Sequence, residues 1–87
     1  MSCDERRQTL DAEVERWSSM AYGDLRGKLK EIQAYVVEGR GRAYQVEVEQ
    51  LEDGEHGLLV AVSVDDGTLP RSLVPLTRTF LCPRPTD

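Results

Sequence analysis

The chain has 87 residues, 39% hydrophobic and 31% charged, with a net charge of −5. These values describe one small globular domain, exclude wholesale disorder, and argue against nucleic acid or an anionic membrane as the main partner. Two cysteines with no Cys-x-x-Cys pair, and one histidine, cannot assemble a zinc framework within a single chain.

Residues 4–31 are predicted helical. Leu10, Val14, Trp17 and Ala21 recur at helical spacing on one face, while Glu13, Glu15 and Arg16 fall elsewhere. Ser18 and Ser19 are good N-cap residues for a second segment, in which Tyr22, Leu25 and Leu29 continue the apolar stripe. Gly23 and Gly27 weaken that segment, by roughly 1 kcal/mol each against alanine. The expectation is a firm helix, a bend near Ser18, and a shorter, softer helix.

From Ile32 the period changes to two, and residues 32–76 are predicted to form an antiparallel sheet. "IQAYVVEGRGRAYQVEVEQ" reads as two strands around the turn Gly39-Arg40-Gly41. In the second strand Tyr44, Val46 and Val48 alternate with Gln45, Glu47 and Glu49, a half-buried strand with one wet face. "LEDGEHG" reads as a loop. In "GLLVAVSV", Leu58, Val60, Val62 and Val64 share one side and Leu59, Ala61 and Ser63 the other. Asp66-Gly67 then signals a hairpin. A four-residue loop, Asp65 to Thr68, would pair Val64 with Leu69 and Val60 with Leu73, and would spare Pro70 a ladder position that needs its missing N–H. Pro70 and Pro75 mark that last strand as an edge. Residues 77–87 read as an irregular tail because of Pro83 and Pro85. The fold class is therefore α+β in two layers: one or two N-terminal helices on a three- to four-stranded antiparallel meander, as a single domain over residues 1–87.

Candidate chemistry is sparse. Two acidic clusters exist, Glu52 to His56 and Asp65-Asp66, but a strand of eight residues at about 3.3 Å each puts them on the order of 25 Å apart, too far to share an ion. Neither carries the alternating ligand pattern of a calcium loop. His56 reads as a solvated loop residue, Cys82 as a small buried hydrophobe, and Gly39 to Arg42 as a turn, because a strand rather than a helix follows it. No nucleophile–base pair stands out, so no catalytic, cofactor or metal residues are assigned and a non-enzymatic role is expected. No apolar run suits a signal core or a membrane span, and the polar start suggests a cytoplasmic protein with free thiols.

What remains is surface. Leu59 and Ala61 fall on the sheet face away from the helices, one of the sets Tyr35/Val37 and Ala34/Val36 must join them, and Val74 and Leu76 extend the strip. Leu59, Ala61, Val74 and Leu76 are the candidate interface residues, for a second copy or another protein. The competing reading is that a tail carrying Phe80 covers the strip. The alternative function is a small-ligand or metal module using the acidic loops or a groove under the second helix.

"WSSMAYGDL", "YQVEVEQLED" and "VAVSVDDGTLPRSLVPLTRTFL" together resemble a group of small bacterial proteins of unknown function, with a Trp-bearing helical start, a Tyr-x-Val-x-Val strand and a Val-Asp-Asp-Gly turn. The resemblance covers Val14 to Leu81 and implies this fold and a bacterial cytoplasm, and no mechanism.

Overall fold

The computed structural model describes residues 3–65 and 76–85, with side chains from Glu5 onward. Two helices, α1 (Cys3–Ser18) and α2 (Tyr22–Lys28), precede four strands, β1 (Gln33–Glu38), β2 (Ala43–Gly54), β3 (Gly57–Asp65) and β4 (Leu76–Pro83). The strands form one antiparallel sheet in sequence order, β1-β2-β3-β4. The α+β, helices-on-meander reading holds.

One face of α1 carries Leu10, Glu13, Val14 and Trp17, spaced for a single stripe. Leu10 and Trp17 are buried and Val14 packs against the core. Glu13 was expected on the wet side, yet it is only 8% exposed. It tolerates burial because Tyr35 donates its hydroxyl to the carboxylate and Arg16 pairs with it at 3.3 Å.

The bend after Ser18 falls where expected, but neither serine caps α2. Ser18 and Ser19 bond back to the carbonyls of Glu15 and Arg16, satisfying the end of α1. Ala21 precedes α2 in extended conformation with no side-chain cap. Packing of Leu25 and Leu29, both buried, holds this seven-residue helix.

The helix-facing side of the sheet is nearly all apolar: Tyr44, Val46 and Val48 on β2, and Leu58, Val60, Val62 and Val64 on β3, are buried. Tyr35 and Val37 join them from β1. Glu38 pairs with Ala43 across a turn closed by the Gly39 N–H donating to the Arg42 carbonyl at 2.8 Å, and Gly41 takes the positive φ of 76° there.

Two further sequence expectations, both about the strands, fail. The stretch predicted as a loop, residues 51–57, is strand almost throughout. β2 continues to Gly54 past a register shift between Gln50 and Glu52, and the hairpin turns on Glu55-His56 alone. A β-bulge lets the alternation slip by one residue, which hides the strand from a period-two reading. The second failure is the tail. Residues 76–83 form β4, pairing Val64 with Leu76, Val60 with Phe80 and Leu58 with Cys82. These pairs replace the expected Val64–Leu69 and Val60–Leu73, because β2 occupies the other side of β3; Leu69 and Leu73 themselves, the loop beyond Asp65, and Pro70 and Pro75 lie outside the described residues. Pro83 is compatible with β4 because it is the strand's last residue, on the sheet edge among the described residues.

Candidate functional site

The sheet side away from the helices is where polar and apolar residues mix. Antiparallel register sets its rows. Leu59 lies between Glu52 and Leu81, Ala61 between Glu49 and Thr79, and Ser63 between Glu47 and Thr77. Gln45 lies between Val36 and Asp65, and Ala34 is opposite Glu47. Ser63 and Thr77 share a hydrogen bond of 3.0 Å.

Of the four candidate interface residues, Leu59 and Ala61 are on this side. Ala61 is already buried, screened by the longer side chains around it, and Leu59 is half-buried. Leu76 is a correction: it is directly opposite Val64, on the helix-facing side, and packs against the core. Val74 lies outside the described residues. Phe80 also faces the helices, opposite Val60, so it covers nothing on the open side.

The exposed apolar surface sits elsewhere than expected. The large hydrophobics that stand out are Ile32, Val36, Leu51 and Leu81, between 50% and 59% exposed, and none lies on a helix. They divide into two patches. Leu51, in the bulge, and Leu81 flank Leu59 near the β2–β3 turn. Ala34 and Val36 lie on β1, with Ile32 just before it. Three strand spacings and six residues separate Val36 from Leu81, on the order of 25 Å. Glu47 and Glu49 lie between the patches.

A third feature is a groove of about 760 Å³ between α2 and the far end of β2, lined by Tyr22, Gly23, Arg26, Gly27, Lys30 and Asp53 among others. Asp53 organises it. Its side chain is 17% exposed, accepts from the Tyr22 hydroxyl at 2.9 Å, pairs with Arg26 at 3.0 Å and lies 3.8 Å from Arg84. A Cβ added at Gly23 or Gly27 would meet nothing within 4 Å, so the glycines leave the wall of α2 bare. On an acidic chain, the two cations Arg26 and Lys30 outnumber the one carboxylate in the lining.

The remaining sequence candidates are separated by the fold. His56 is exposed in the β2–β3 turn, and Asp65 ends β3 at the opposite end of the sheet. Among the described residues no group of three or more His, Cys, Asp or Glu side chains is placed to hold a metal ion. Cys82 is a buried free thiol, as its neighbours suggested. Glu5 accepts from the Tyr44 hydroxyl at 2.7 Å and the Arg40 amide at 3.1 Å, and these bonds hold its carboxyl below the ordinary 4.5. Sequence reasoning missed the Glu13–Tyr35–Trp17 network, the Asp53 cluster, and the exposure of Val36 and Leu81. Parity along β1 could have placed Val36; the others needed the register.

No helix among the described residues is long and apolar enough to cross a membrane. Comparison with protein-family models, curated proteins and solved structures finds no match.

Proposed function

We propose that this chain is a non-enzymatic protein-interaction domain of a bacterial cytoplasm that docks through the helix-free side of its sheet. One observation carries the reading: the exposed large hydrophobics lie in two patches, Leu51 and Leu81 beside half-buried Leu59, and Val36 on β1 with Ile32 just before it. Scattered surface hydrophobes are ordinary, but Leu51 and Leu81 beside Leu59, bordered by acidic side chains, have the composition of an interface core and its polar surround. The test is a Leu59→Glu/Leu81→Glu double variant. Chemical crosslinking in the native cells should trap a complex of defined mass with the natural chain and none with the folded variant. The same complex from both chains would remove this face from the reading.

The Asp53 groove supports a second reading, a module for a small anion such as phosphate or a di-acid. Titration with inorganic phosphate or citrate should then give saturable amide shifts at Gly23 and Gly27 that Lys30→Gln weakens. Shifts absent at millimolar anion would dismiss it.

A further inference from the structure

We infer that the helix-free side of the sheet receives a basic amphipathic helix of another protein, laid along β3. This rests on the interaction reading above and names the chemistry of its partner.

The register sets three rows side by side on that face. Ser63, Ala61 and Leu59 form the middle row, on β3. Glu47, Glu49 and Glu52 flank it on β2, and Thr77, Thr79 and Leu81 flank it on β4. The middle row is a shallow trough, because Ser63 and Ala61 are shorter than the side chains beside them and Ala61 is buried at its floor. One end of the trough is apolar, where half-buried Leu59 meets exposed Leu51 and Leu81.

Charge selects the occupant. By register, the open-side strand positions carry Glu38, Glu47, Glu49, Glu52 and Asp65, and no lysine or arginine. The ion pairs Arg16–Glu13, Arg26–Asp53, Arg84–Asp53 and Arg78–Asp11 lie on the helix-bearing side instead. Among the described residues no cation pairs with Glu47, Glu49 or Glu52. A second copy would set this acidic row against a face equally short of cations, and like charges repel. Nucleic acid or an anionic membrane would meet the same repulsion. A basic partner is attracted.

Backbone geometry selects a helix. β2 and β3 are inner strands, with their main-chain groups bonded within the sheet. The face therefore offers a partner no main-chain bonds, and a helix, which satisfies its own, suits it. Spacing agrees: open-side residues two apart on a strand are separated by about 6.6 Å, and helix residues four apart by about 6 Å. Lysine or arginine at every fourth position on one flank would track the carboxylates, with apolar side chains meeting Leu59 and Leu81.

The probe is a synthetic helical peptide with leucine on one face and lysine on its flanks, beside a matched peptide with glutamate in place of lysine. In amide NMR the leucine–lysine peptide should bind saturably, with shifts centred on Leu59, Ala61, Ser63 and Leu81, and should weaken with added salt. Glu47→Lys/Glu52→Lys, at two exposed positions, should lower its affinity about tenfold or more. The same variant should gain binding of the leucine–glutamate peptide, which no loss of folding could mimic. Absence of saturable shifts on this face, or equal binding of both peptides to the natural chain, overturns the inference. In the native cells, a crosslinked complex that survives Glu47→Lys/Glu52→Lys but not Leu59→Glu/Leu81→Glu overturns the basic partner and leaves the interaction reading standing. A complex that survives both variants removes both.

Discussion

Replacing Tyr35 with phenylalanine isolates the polar link between α1 and the sheet. The Tyr35 hydroxyl donates to Glu13 and accepts from the Trp17 indole N–H at 2.8 Å. Trp17 is 4% exposed and Glu13 8%, so water replaces neither bond readily. Losing a hydrogen bond to a charged group costs about 1.5–3 kcal/mol, and a buried donor left without a partner adds about 1–3 kcal/mol. Tyr35 is half-buried, which admits some water, so the lower end of the sum applies, about 2.5–3 kcal/mol. For a domain of this size that lowers the melting temperature by roughly 10–20 °C. Denaturant unfolding followed by fluorescence of Trp17, the sole tryptophan, measures it. A loss under about 0.5 kcal/mol with an unchanged slope would refute the assignment of this network as the link. Alkaline pH supplies a second arm. Burial, and then the bond to Glu13, push the Tyr35 hydroxyl up to about 12 from its ordinary 10. Its contribution is therefore whole below pH 10 and fades as pH rises toward 12. The gap between the natural chain and Tyr35→Phe should narrow over that range.

Other consequences are as specific. Gly57→Ala should prevent stable folding: φ there is 140°, and a Cβ would sit 2.2 Å from the Cys82 carbonyl oxygen, a backbone atom of β4 that cannot step aside. A soluble Gly57→Ala chain with native circular dichroism and melting would contradict the β3–β4 register. Asp53→Ala should cost about 1–3 kcal/mol and loosen α2 first, because it removes the acceptor shared by Tyr22 and Arg26; amide exchange reads this as lost protection at Leu25 and Leu29. Glu5 should titrate below 4.5 by carboxyl NMR and move upward in Tyr44→Phe, which removes its main hydrogen bond. Because the folded value is depressed, whatever Glu5 adds to stability is present above 4.5 and lost as pH falls through the lowered value.

Much of the fold was legible because its two layers have different periods. Leu10, Trp17, Leu25 and Leu29 announced the helices, and Tyr44 through Val48 and Leu58 through Val64 announced the central strands, each by simple spacing. Failures came where local pattern and tertiary context part. A bulge at Leu51 broke the alternation, so a continuous strand read as a loop. Pro83 and Pro85 suggest an irregular tail, whereas Leu76, Phe80 and Cys82 alternate toward the core as a strand should. The candidate interface was half legible. Leu59 and Ala61 followed from parity on β3, but Leu76 changed sides once the true register replaced the guessed one. Glu13 shows a different limit: a carboxylate's partners lie on another element, so its burial has no signature in α1 alone.

The central claim is that this chain works through the helix-free side of its sheet, and contact mapping in the native cells tests it most directly. A photoreactive side chain is placed singly at Leu81, at Val36, and at Glu15, an exposed position on α1. The account predicts discrete protein adducts from positions 81 and 36, and none from position 15. Adducts from Glu15 alone, or equal labelling from all three, would contradict it.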